Sequence, residues 1–243
     1  MAGHSKWSNI KHRKAGQDAK RAKIFTKIIR ELTVAARDGG GNIEDNPGLR
    51  TVVDKAKSAQ MAKDTMERAV ARGAGGQDGA ELVALTYEGY GPGGVAILVQ
   101  TMTDNRNRTV GEVRHAFTRS GGNLGTDGSV AYLFKEKGQI NFAPGADEDA
   151  IMEIAVNSGA EDVDVDEQGS IEVITAPEDF LTVKEALIKD GFDAAVAEVS
   201  MVPQNYCDLD HETAEKVLCL LDQLEDLDDV TNVYTNANFP EEI

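Results

Sequence analysis

The residues best suited to chemistry in this sequence are cations, and they gather near its start. His4, Lys6, Trp7, Lys11, His12, Arg13 and Lys14 are followed by Lys20, Arg21, Lys23, Lys27 and Arg30. The first 30 residues hold nine Lys or Arg and a single acid, Asp18. Cations at that density neutralise phosphates, and a lone Trp among them offers either a stacking surface or an anchor against neighbouring helices. Five or six phosphate contacts would make affinity fall with salt at a log–log slope of roughly −4 to −5. The set is a candidate nucleic-acid-binding site; a solubilising basic segment is the plainer alternative. A second polar cluster is TDNRNRT at 103–109, where Asn105, Arg106, Asn107 and Arg108 leave a strand and enter a helix that carries Arg114. Such a loop can hydrogen-bond phosphate or a protein partner, or form salt bridges to neighbouring acidic segments.

Other patterns imitate chemistry without its context. GYGPGG at 89–94 has dinucleotide-binding spacing, but a strand follows the glycines where a helix should, so a hairpin turn is expected. DVDEQG at 164–169 opens like a calcium loop, yet Thr175 stands at its twelfth position and strands flank it. HETAE at 211–215 lacks a second His, so His211 reads as the start of an ordinary amphipathic helix. LEDLDDV at 224–230 reads as a solvated connection. No Walker loop, nucleophile elbow or cluster of His and carboxylates is present, which argues against an enzyme and against a bound cofactor or metal. Two cysteines, Cys207 and Cys219, provide no disulfide framework. No apolar run approaches the ~18 residues of a membrane span. The opening lacks the apolar stretch of a signal peptide, and Ala2 stands where myristoylation needs Gly, so a cytoplasmic protein is expected.

The elements that must position these residues fall into three parts with opposite charge. The chain has a net charge of −17, yet residues 1–73 carry 16 basic and 8 acidic residues, and residues 74–243 carry 9 basic and 34 acidic. Asymmetry of this kind concerns partners rather than fold. From about Asp18 to Arg37, Phe25, Ile28, Ile29 and Leu32 recur at helical spacing, with Lys20, Lys23, Lys27 and Arg30 on the opposite face. Asn46 and Pro47 start a second helix, and Asp64 and Glu67 have capping-box spacing for a third that ends at Gly73. GAGGQDGAE at 73–81 reads as a linker. ELVALTYEG and VAILVQTMTD, separated by YGPGG, predict a β-hairpin. Thr109 and Glu112 have capping-box spacing for the helix that follows, and SVAYLF at 129–134 reads as a strand. From 139 to 202 the order is strand, helix, strand, strand, helix, strand, the ferredoxin-like pattern; a helix at 210–225 and a strand at 229–235 complete the earlier half. The expected fold class is α+β: an N-terminal helical bundle plus two α/β sandwich-like domains, one ferredoxin-like and inserted in the other. The expected limits are 1–80 for arm, bundle and linker, 81–135 plus 204–243 for the discontinuous domain, and 136–203 for the acidic insert.

Five separated segments, MAGHSKW…IKHRK…DAKRAKIFTKIIREL, YEGYGPGG, TDNRNRT, GSVAYLF and VPQNY, resemble the YebC/PmpR family, which includes the mitochondrial translational activator of cytochrome c oxidase subunit one. The resemblance runs end to end. It implies a three-domain, cytoplasmic, non-enzymatic regulator, usually labelled a DNA-binding transcriptional regulator, with members linked to the ribosome at difficult stretches such as consecutive prolines. Gly48 in NPGLR stands where members often have a basic residue, and QMAKD at 60–64 lacks a usual proline. Neither departure touches the arm. The Lys-rich helix face carries no set of residues suited to base-edge readout, which favours ribosomal RNA over DNA as the partner. A protein-interaction adaptor is a third reading, because residues 145–243 hold 27 acids and 3 bases and could bind a basic protein, including a ribosomal one. No membrane and no small-molecule substrate is expected in any of them.

Overall fold

The computed structural model describes residues 21–75 and 82–240. Helix α1 (Arg21–Gly39) turns Ile28, Leu32 and Ala36, one helical repeat apart, into a core with Leu49, Val53 and Ala56 of α2 (Pro47–Ser58) and Met66 and Ala69 of α3 (Lys63–Ala74). Asn46 fixes the α1–α2 corner. Its Oδ1 accepts from Leu49 N at 2.9 Å while its Nδ2 donates to Ala35 O and Gly40 O, each at 2.8 Å. Helix α3 starts differently from expectation: Ala62 precedes it without a side-chain cap, and Asp64 and Glu67 pair along the helix with Arg68 and Lys63. Alanine at the cap leaves no oxygen for a capping box, so the two acids act one turn apart instead. At Gly73, α3 crosses α1 so closely that an added Cβ would lie 2.2 Å from Thr33 O.

Strands β1 (Val83–Tyr90) and β2 (Ala96–Thr103) form the expected hairpin through a 3-10 turn at Pro92–Gly94, with Gly93 and Gly94 at φ 73° and 77°. Helix α4 (Arg106–Arg119) and the short β3 (Asn123–Leu124) follow. The strand expected at SVAYLF is absent: Ala131–Leu133 is a 3-10 turn, and β4 runs from Phe134 to Phe142. The cause is Glu88, whose buried carboxylate accepts from the backbone N–H groups of Gly128, Val130 and Ala131, each at 2.7 Å, removing those donors from any ladder.

Next come α5 (Glu148–Ser158), β5 (Asp162–Val165), β6 (Ile171–Thr175), α6 (Phe180–Lys189) and β7 (Val196–Pro203). Their sheet has the order β5-β6-β4-β7, antiparallel throughout, as in ferredoxin-like units. The 164–169 segment is a β5–β6 turn in which Asp166 Oδ1 accepts from Gln168 N and Ser170 N. The chain then returns to the first sheet through β8 (Cys207–Asp208), α7 (His211–Glu225), β9 (Val230–Thr235) and β10 (Ala237–Asn238). Strand β9 pairs with β2, giving the order β3-β1-β2-β9. One core accordingly joins Ile97, Val99, Val113 and Phe117 to Val217, Leu220, Leu224 and Val230 from beyond the insert, while a separate core unites Ile140, Ile151, Val173, Phe180 and Leu187. The fold is α+β, with a helical N-terminal part and a ferredoxin-like unit inserted in a second helix-on-sheet unit. Among the described residues no helix is long and apolar enough to cross a membrane.

Candidate nucleic-acid interface

Helical spacing brings Lys23, Lys27 and Arg30 to one side of α1, and that side meets the junction between α7 and β9. Lys23 Nζ lies 3.1 Å from Asp226 O and 3.2 Å from Asp226 Oδ1. Lys27 Nζ lies 2.6 Å from Glu225 O. Arg30 donates to Asp228 O and reaches Asp229 Oδ1 at 3.3 Å. The last carbonyls of a helix have no intrahelical donor, and the helix end carries partial negative charge, so these cations complete the C-terminus of α7. The sequence reading leaves this cation row open to a partner; in the structure it is engaged from within. His4, Lys6, Trp7, Lys11, His12, Arg13, Lys14 and Lys20 lie outside the described residues, and Arg21 opens α1.

The connection read as solvated contains a buried acid. Asp226 and Asp228 are exposed, but Asp229 is 3% exposed. Its Oδ2 accepts from Arg108 Nη2 at 2.7 Å and Nε at 3.2 Å, from Thr109 Oγ1 at 2.8 Å and from Thr103 Oγ1 at 3.1 Å. Its backbone carbonyl accepts from Met102 N at 2.8 Å. Burial works to raise the carboxyl pKa, yet the Arg108 and threonine hydrogen bonds outweigh it and hold Asp229 below the ordinary carboxylate value. Glu88 obeys the same balance: burial raises it, and the three backbone donors bring it below its usual value.

The TDNRNRT cluster therefore divides by role. Asn105 caps α4, its Oδ1 accepting from Arg108 N at 3.1 Å. Thr109 lies inside the helix as a partner of Asp229, so the expected capping box with Glu112 does not form. Arg108 is an ion-pair residue, held by Asp229 and by Asp104 Oδ1 at 2.8 Å. Arg106, Asn107 and Arg114 are exposed on α4. Around this junction an open cleft of about 1540 Å³ separates the three parts of the fold, with Lys23, Lys27, Lys55 and Lys184 among its lining. Two side-chain ties span it: Lys184 Nζ to Asp54 Oδ2 at 2.7 Å, and Lys55 Nζ to Asn232 Oδ1 at 3.3 Å.

A helical bundle set against a sheet unit that itself contains a ferredoxin-like insert, with an exposed Arg108 paired to a buried Asp229 at the junction, defines a class of modular α+β architecture. The chain belongs to the TACO1/YebC family: the profile of its N-terminal domain matches residues 5–76, and that of its second and third domains matches residues 82–237. A protein of Francisella tularensis named "probable transcriptional regulatory protein" is 63% identical over 243 residues, covering 100% of this chain and 98% of that relative. One of the same name from Pseudomonas aeruginosa is also 63% identical over the whole chain. The crystal structure of a conserved hypothetical protein from Aquifex aeolicus superposes with a TM-score of 0.79 at 48% identity, over 93% of both chains.

Proposed function

We propose that this protein is a non-enzymatic, cytoplasmic regulator of gene expression that binds nucleic acid, its basic arm and the cations of α1 gripping the phosphate backbone. The observation that supports it best is the placement of charge. Nine of the first 30 residues are Lys or Arg on a chain of net charge −17, and the α1 cations select oxygen ligands along a distant segment of the same chain. The exposed Arg106, Asn107 and Arg114 of α4 are a second contact surface for the same partner.

Structured RNA, ribosomal RNA in the first place, suits this grip, with the protein assisting translation of difficult stretches and touching ribosomal proteins through its acidic insert. The Lys-rich face of α1 carries no set of residues suited to base-edge readout in a major groove, whereas RNA geometry supplies specificity to a phosphate grip. DNA-bound transcriptional regulation is the second reading, favoured by the names of the relatives. In-cell crosslinking followed by sequencing of the attached nucleic acid decides between them. Reads at a few ribosomal RNA positions are expected; reads at promoter DNA overturn the RNA reading, and a complex that survives nuclease makes the protein an adaptor.

A further inference from the structure

Lys23, Lys27 and Arg30 hold the carbonyl oxygens of Asp226, Glu225 and Asp228 together with the Asp226 and Asp229 carboxylates. A row of helix cations facing a row of anionic and carbonyl oxygens is what a phosphate backbone would also provide. We propose that the 225–229 segment is an intramolecular stand-in for a phosphate backbone, so that a polyanion reaches the cation row of α1 only by displacing it. This rests on the reading of α1 as part of the nucleic-acid interface and adds how that interface is controlled.

The contacts divide into an exchangeable part and a fixed part. The Lys23 and Asp226 side chains are 47% and 52% exposed, so a competing anion can approach both. Exposed pairs of this kind contribute little to stability, and their exchange for phosphate costs correspondingly little. Asp229, in contrast, keeps Arg108, Thr103 and Thr109 when Arg30 departs. Displacement therefore frees the three cations while leaving the α4–β9 junction assembled.

The test measures binding of a fluorescently labelled RNA hairpin to the full chain by anisotropy. Neutralising the mask with Asp226→Asn, which removes the Lys23 ion pair, and Asp228→Asn, which removes negative charge beside the carbonyl that Arg30 holds, should tighten binding by about twofold to fivefold, the worth of one exposed pair. Asp149→Asn with Glu153→Gln on the exposed face of α5 changes net charge equally and should leave affinity near wild type. The gain should vanish when Lys23, Lys27 and Arg30 are all replaced by Ala. An equal gain from the α5 pair, or an undiminished gain without the three cations, overturns the proposal in favour of a general field effect. Should the wild type bind and Lys6→Glu, Lys11→Glu, Arg13→Glu and Lys14→Glu together abolish that binding while Asp226→Asn/Asp228→Asn changes nothing, the interface stands and the masking is refuted. Absence of binding by every form overturns both.

Discussion

Asp229 holds more of the fold than its neighbours in a run of acids suggest. Its carboxylate serves Arg108, two threonines and Arg30, and removing it would strand buried hydroxyls at the root of α4. Asp229→Ala is expected to destabilise the protein by about 2–3 kcal/mol, the scale of lost hydrogen bonds to a buried charge. Asp228→Ala, one residue earlier and exposed, should change the unfolding free energy measured in urea by no more than about 0.5 kcal/mol. A pH dependence follows from Asp229 and Glu88 together. Both carboxyls are held below their ordinary values, so in acid the unfolded chain binds more protons than the folded one. Their stabilisation is complete above the unfolded carboxylate range near pH 4 and is lost as pH falls through the depressed folded values. Urea unfolding at descending pH should show this loss, and Glu88→Gln should flatten the slope. A wild-type slope no steeper than that variant's would contradict the assignment. The sequence marked Arg108 in a cluster open to salt bridges with acidic segments, but not its partner Asp229 nor the role of Glu88, because Thr109 lies 120 residues from Asp229 and Val130 lies 42 from Glu88. Periodicity registers neighbours three or four residues apart, and buried acids whose partners are that distant look like any solvated charge.

Elements were legible where their signals were local. The stripe of α1, the Asn46–Pro47 start of α2, the hairpin around Pro92 and the βαββαβ order each depend on spacings shorter than one element. SVAYLF failed as a strand because its composition is β-like while Glu88, on another strand, claims its donors. The row on α1 was legible as cationic from its spacing, but its contacts with the end of a helix two hundred residues away were not. Gly73 tests element packing against propensity. Alanine is favoured over glycine inside a helix by about 1 kcal/mol. Here, however, the added Cβ would sit 2.2 Å from the backbone oxygen of Thr33 and 2.9 Å from Ala36 Cβ. Backbone cannot yield as a flexible side chain can, so α1 and α3 must separate, at about 1–3 kcal/mol. Gly73→Ala should therefore lower the thermal midpoint, and a raised midpoint would show that the bundle repacks freely.

At the scale of the molecule, the helical bundle is tied to the rest of the chain chiefly through charge. Lys184 reaches from α6 to Asp54 of α2, Lys55 from α2 to Asn232 of β9, and Lys23 and Arg30 from α1 to the α7–β9 junction. The major apolar cores, by comparison, lie within the bundle and within each sheet unit. Charge pairs at a half-exposed joint weaken with ionic strength, whereas apolar cores do not. Raising salt should accordingly loosen the bundle from the two sheet units before any of the three unfolds. Small-angle scattering should record a larger radius of gyration in about 1 M salt than at low salt, with circular dichroism unchanged. Lys184→Ala should produce part of that expansion at low salt, because its ammonium, with a side chain only 13% exposed, spans the cleft to Asp54 at 2.7 Å. A radius indifferent to both salt and the substitution would mean that the apolar contacts lining the cleft hold the three parts together, and that the cations of α1 are not released by weakening charge alone.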